Sequence, residues 1–181
     1  KLNRETEQFS ASSGRASYTE TEKGITVKAN GRTFVFSKKD GQLKDVSVNN
    51  RKISFANGPR FIGARRADRS LDQFYNHDDE KAKAKDRTYS EFTDAAVFTK
   101  LDVKKEGGNL ILTANYKLGN LDKAQWTIHP DGMATLDYTY NFSGVVDLMG
   151  ICFDYPEEQV LSKRWLGAGP YRVWQNRIHG T

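Results

Sequence analysis

Short runs of alternating apolar and polar residues recur along this chain, and pairs that favour tight turns stand between them. Asn30-Gly31, Asp40-Gly41 and Asp131-Gly132 each separate two such runs, and Gly107-Gly108-Asn109 does the same. Two-residue hairpin turns need positive φ at their central positions, and Gly, Asn and Asp tolerate it. The flanking runs read as strands. Sheet is expected from about Ala16, through residues 25–29, 33–36 and 43–48, with Ile53-Ser54-Phe55 continuing the meander past Asn49-Asn50. It resumes over residues 98–104, 110–116, 124–129, 133–142 and 148–155. In the fourth of these, Leu136, Tyr138, Tyr140 and Phe142 fall on one face and Asp137, Thr139 and Asn141 on the other. Strict period two predicts a sheet with one face on a core and the other wet. Tight turns at this spacing imply antiparallel pairing and an all-β sandwich.

A chain of 181 residues suits one domain with a real core, or a large piece of a bigger protein. It starts at Lys1 rather than Met, so the second is expected. Polar residues 1–14 read as a linker or tail, and 15–181 as the sandwich domain. No apolar run approaches the roughly 20 residues that span a bilayer, and no signal-peptide pattern is present. The net charge of +5 comes from residues 1–57, which carry 11 Lys/Arg against 6 Asp/Glu. The excess is dispersed, without a basic stripe or an aromatic-interleaved RNA motif, so a solvated surface is expected rather than a nucleic-acid partner. The single cysteine, Cys152, lies in an apolar strand pattern and is expected to be buried; alone it forms no internal disulfide and no Cys-based zinc site.

Residues 58–94 are the least strand-like part, with a helical turn or two expected over 78–85. His77-Asp78-Asp79-Glu80 reads as a solvated acidic turn, because adjacent ligands rarely converge on one ion. No metal or cofactor site is expected. His77, His129 and His179 show no spacing for a metal or a triad, and no phosphate loop or nucleophile elbow occurs. Only His129 with Glu157 or Asp154 can be nominated as an acid/base pair, the arrangement a free-standing sugar epimerase would need.

The most distinctive stretch is Arg164-Trp165-Leu166-Gly167-Ala168-Gly169-Pro170-Tyr171-Arg172-Val173-Trp174-Gln175-Asn176-Arg177. Its glycines and Pro170 predict a sharp corner, with Trp165 on the core side and Trp174 partly exposed. The stretch resembles the signature of the C-terminal β-sandwich of family 2 glycoside hydrolases of the β-galactosidase type. That signature reads Trp-Leu-Gly-x-Gly-Pro-x-Glu-x-aromatic-x-Asp-Arg. Trp165, Leu166, Gly167, Gly169, Pro170, Trp174 and Arg177 match it; Arg172 replaces the Glu and Asn176 the Asp. Earlier, Phe34-Val35-Phe36-Ser37, Gly41-Gln42-Leu43, Gly58-Pro59-Arg60 and Arg66-Ala67 are similar to other stretches of the same domain, while its Asp-Asn-Asp loop is replaced by Asp68-Arg69-Ser70.

The resemblance implies a galactose-mutarotase-like supersandwich of two antiparallel sheets, of which this chain would be the earlier part or a shortened version. It implies an accessory module, not itself catalytic, whose parent is a glycoside hydrolase with its two carboxylates on a separate barrel. The implied partners are a carbohydrate, a galactoside or a plant or host glycan, and the neighbouring domains of the parent chain. The implied contact residues are Tyr171, Trp174, Asn176, Arg177, Arg66 and Asp68. A parent that degrades glycans would be periplasmic or extracellular. A mutarotase-type enzyme and a protein-interaction sandwich are the alternatives.

Overall fold

The computed structural model describes residues 14–66, 89–146 and 148–162. Among them the chain forms twelve strands and one short 3-10 turn, Glu157–Gln159. The strands are β1 (Ser17–Glu20), β2 (Gly24–Ala29), β3 (Arg32–Ser37), β4 (Leu43–Val48), β5 (Arg51–Ile53) and β6 (Ala56–Arg66). They continue with β7 (Tyr89–Thr93), β8 (Val97–Glu106), β9 (Asn109–Lys117), β10 (Leu121–Ile128), β11 (Ala134–Tyr140) and β12 (Leu148–Asp154). One sheet runs β1-β2-β3-β4-β6-β12, with β5 on β4 and β7 on β6; the other runs β11-β10-β9-β8. Every pairing is antiparallel. The fold is the two-sheet all-β sandwich that the alternating runs imply.

Period two places the core. Ile25, Val27 and Ala29 of β2 face inward beside Phe34 and Phe36 of β3, and they meet Leu110 and Leu112 of β9 and Trp126 and Ile128 of β10. Phe36 and Trp126 meet edge to face across the sheets at 5.9 Å. Along β10 the buried positions are Leu121, Ala124, Trp126 and Ile128. The three-residue step after Leu121 coincides with a bulge against β11, which absorbs one residue and restores the phase.

The hairpins close as their residues predict. Asn30 and Gly31 have φ of 44° and 73°, and Asn49 and Asn50 of 49° and 65°, so both central residues of each turn are left-handed.

Three expectations change. Residues 58–66 and 89–93 belong to strands, although Gly58 and Pro59 read as strand breakers. Pro59 sits near the start of β6, where only Leu43 and Gly58 pair with β4, so its missing N–H costs little there. Strand β12 lies at the edge of its sheet and is nowhere fully buried, and Cys152 is accordingly only half-buried. The far half of β11 is likewise uncovered: Ala134 and Leu136 pack against the core, whereas Tyr138 and Tyr140 are 43% and 41% exposed. Residues 1–13 of the tail expected at 1–14, the acidic turn at 77–80 and the helical turn expected at 78–85 lie outside the described residues.

Candidate functional site

A cleft of about 300 Å3 opens between the sheets where β6 passes from its pairing with β4 to that with β7. Phe61, Ile62 and Leu121 give it apolar walls, and Gln42, Arg60, Asp94, Tyr116 and Cys152 bring polar atoms to it. Arg60 and Cys152 are direct cross-strand partners on β6 and β12, which is why guanidinium and thiol share one wall.

A chain of charged and amide groups runs along one side. Lys44 Nζ donates to Asp40 Oδ2 at 2.7 Å, to Gln42 Oε1 at 2.8 Å and to Asn57 Oδ1 at 3.2 Å. Asn57 Nδ2 donates to Asp154 Oδ2 at 2.7 Å, and Arg60 Nη2 donates to Asp154 Oδ1 at 2.6 Å. The hydrogen bond from Arg60, and then that from Asn57, hold the Asp154 carboxyl below the usual carboxylate range against a small opposing effect of burial. The pairing with Asp154 in turn raises the Arg60 guanidinium further, so it stays charged. Burial pushes Asp40 up, but hydrogen bonds from Lys44, the Gln42 N–H and Ser37, with the charge of Lys44, leave it below the ordinary value.

Across the cleft, burial and then the nearby Asp40 charge push the Tyr116 phenol up to about 12. Its hydroxyl donates to the Asp40 carbonyl at 3.1 Å, tying β9 to the β3–β4 turn. Asp94 is engaged mostly with backbone N–H groups, of Ala96, Asn120 and Leu121, and also accepts from Asn120 Nδ2. Oδ1 accepts from Asn120 N at 2.7 Å and Oδ2 from Leu121 N at 3.1 Å. At neutral pH these shifts leave Asp40, Asp154 and Arg60 charged and the phenol neutral. A carboxylate held below its ordinary pKa is a weak proton acceptor, so this wall is suited to holding polar groups rather than to moving protons.

The nominated acid/base pair is not assembled. His129 follows β10, and its Nε2 lies 3.1 Å from Thr135 Oγ1. Asp154 is taken up by Arg60 and Asn57, and Glu157 stands in the exposed 3-10 turn. Of the residues the resemblance nominated, Tyr171, Trp174, Asn176, Arg177 and Asp68 lie outside the described residues. Arg66 is placed by its backbone alone, opposite Tyr89 at the end of β6.

A second surface is aromatic. Tyr138 and Tyr140 stack at 6.1 Å on β11, and Tyr140 also tilts against the buried Phe61 at 5.5 Å. Leu148 and Met149 of β12 are exposed as well, so edge strands of both sheets present apolar side chains to solvent. Sequence reading placed both tyrosines on the right face of β11 but under a core that does not extend over them. Asp94 went unnoticed, because nothing in its neighbourhood marks a residue whose partners lie 26 and 27 positions away.

The fold and these surfaces define an antiparallel two-sheet sandwich with a polar inter-sheet cleft and an aromatic flank. No protein-family model matches the chain, and no curated protein matches it.

Proposed function

We propose that the chain is a non-catalytic, carbohydrate-associated β-sandwich module of a glycoside hydrolase of the β-galactosidase type, with the mutarotase-like architecture of that family. In this reading it packs beside a catalytic barrel and contacts the glycan. The observation that carries it is the solvent-facing pair of stacked tyrosines on β11. The axial C–H faces of a sugar ring are apolar, while its equatorial hydroxyls are wet, so a partly exposed aromatic platform beside polar groups matches both. The ionised Asp154 supports binding over proton transfer, since a weak base does little for catalysis.

The test is made on the isolated chain. Galactosides and short neutral galacto-oligosaccharides should perturb its fluorescence, and the Tyr138→Ala/Tyr140→Ala variant should lose that response. Aryl β-glycosides should not be hydrolysed, nor galactose or glucose mutarotation accelerated. Turnover that survives repurification and disappears in His129→Ala would replace this reading with the epimerase one. An unchanged response to sugar in the double tyrosine variant would remove the platform on which the reading stands.

A further inference from the structure

The excess of basic residues looks dispersed along the sequence, but strand register gathers part of it. Ser17 on β1 pairs with Lys28 on β2, Lys28 with Thr33 on β3, and Thr33 with Ser47 on β4. Val27 and Ala29, on either side of Lys28, are buried, so this row lies on the outer face of the sheet. At its end the Asn30-Gly31 and Asn49-Asn50 turns lie against each other, joined by a hydrogen bond from Asn49 N to Gly31 O at 2.7 Å. Row and turns enclose an open concavity of about 550 Å3, whose charged lining residues among those described are Arg15, Lys28 and Arg32.

Among the described residues no carboxylate lines this concavity. Lys38, Lys44, Lys52, Lys100 and Lys104 elsewhere each sit within 3.1 Å of an acidic oxygen. Arg15 and Lys28 make no ion pair among the described residues. Arg32 pairs with the buried Ala29 and so leaves β3 on the inner side, where its Nη1 donates to the Asp131 carbonyl at 2.8 Å. Two like charges, Arg15 and Lys28, on one open surface raise the local concentration of anions. Asn49, Asn50, Ser17 and Thr33 in the lining offer amide and hydroxyl hydrogen bonds, and among the described residues no aromatic ring is present there to stack a nucleobase.

We infer that this corner binds a sulfated polysaccharide, with sulfate groups on Arg15 and Lys28 and sugar hydroxyls on the turn asparagines. The positive concavity stands on its own geometry. The choice of a glycan over other polyanions rests on this lining and also on the carbohydrate reading above.

The test is titration of the full chain with heparin, with a neutral galactan and with duplex DNA over a series of salt concentrations. Heparin should bind with an affinity that falls as salt rises, and at matched salt more tightly than DNA. Arg15→Glu/Lys28→Glu should weaken it by about tenfold or more and lower the salt slope by about two. Lys117→Glu/Lys123→Glu, with the same change in net charge on the other sheet, should leave it unchanged. Circular dichroism and the urea midpoint establish that both variants fold, and the milder Arg15→Gln/Lys28→Gln pair should show an intermediate loss. Equal losses in the two reversal variants would reduce the effect to net charge and overturn the proposal. DNA binding as tight as heparin binding would overturn it in favour of a nucleic-acid face. No response of the unaltered chain to neutral galactosides, with heparin binding intact, would sink the accessory-module reading alone.

Discussion

Two residues on the cleft wall show how much structure one side chain can hold. Asp94 accepts the N–H groups of Asn120 and Leu121, and it sits where the chain passes closest to Gly119, whose φ is 79°. A Cβ at Gly119 would lie 2.4 Å from Asp94 Oδ1 and 2.2 Å from Ala96 N, so only glycine lets the segments approach. Asp94→Ala would strip partners from three backbone donors, of Ala96, Asn120 and Leu121, and should lower the free energy of unfolding by about 2 kcal/mol, read from the urea midpoint. Tyr116 makes a different prediction, about pH. Its folded pKa of about 12 lies above the ordinary phenol value of 10.0, so the folded state retains the proton while the unfolded chain loses it. Its contribution is therefore fully present below about pH 10 and lost as the pH rises towards 12. Tyr116→Phe should cost about 1 kcal/mol at neutral pH through the lost hydrogen bond to the Asp40 carbonyl. It should also flatten the loss of stability between pH 10 and 12; an equally steep alkaline limb would assign that limb to other groups.

At the scale of the element, the strands were legible in the sequence because β2, β3, β9 and β10 are central and bury one face, which forces strict alternation. Residues such as Asn30-Gly31 marked their own turns by their tolerance of positive φ. The β9–β10 turn carries no such mark at its first position. Leu118 has φ of 57°, a conformation that a γ-branched apolar residue disfavours, and its side chain is exposed. Nothing about a leucine announces a turn, so this hairpin came from the pairing partners on either side. Leu118→Gly should therefore stabilise the protein by about 1 kcal/mol, through relief of the left-handed backbone offset in part by chain entropy. A fall in the urea midpoint would mean that the leucine makes a contact worth more than the strain. Edge elements were the hardest to read. In β11 and β12 apolar residues face solvent, and sequence alternation cannot tell a covered face from an uncovered one. The cleft was illegible for a related reason: Arg60, Asn57 and Asp154 meet only through the β6–β12 pairing, across 94 and 97 positions.

For the whole molecule, the question is whether the two sheets form one cooperative unit. Buried residues of β2, β3 and β4 on one sheet and of β9 and β10 on the other belong to a single cluster, with no polar layer between them. Trp126 is its keystone, 6% exposed and edge-on to Phe36 at 5.9 Å and to Phe153 at 6.0 Å. Phe36 and Phe153 belong to the opposite sheet, so this ring touches both the centre of that sheet and its β12 edge. Neither sheet can keep its inner face dry once the other leaves, since each supplies the apolar surface that covers its partner. Urea unfolding should therefore be a single transition, with far-UV circular dichroism and tryptophan fluorescence superimposing. Trp126→Ala should shift both signals together and cost about 3–5 kcal/mol, the range for truncating a large core aromatic. The same variant should leave heparin binding at the Arg15 and Lys28 corner intact under conditions where it remains folded, because the row that carries Lys28 lies on the outer face. Separated transitions in the wild-type chain would show that each sheet has a core of its own, and Trp126 would then stabilise only the sheet that carries it.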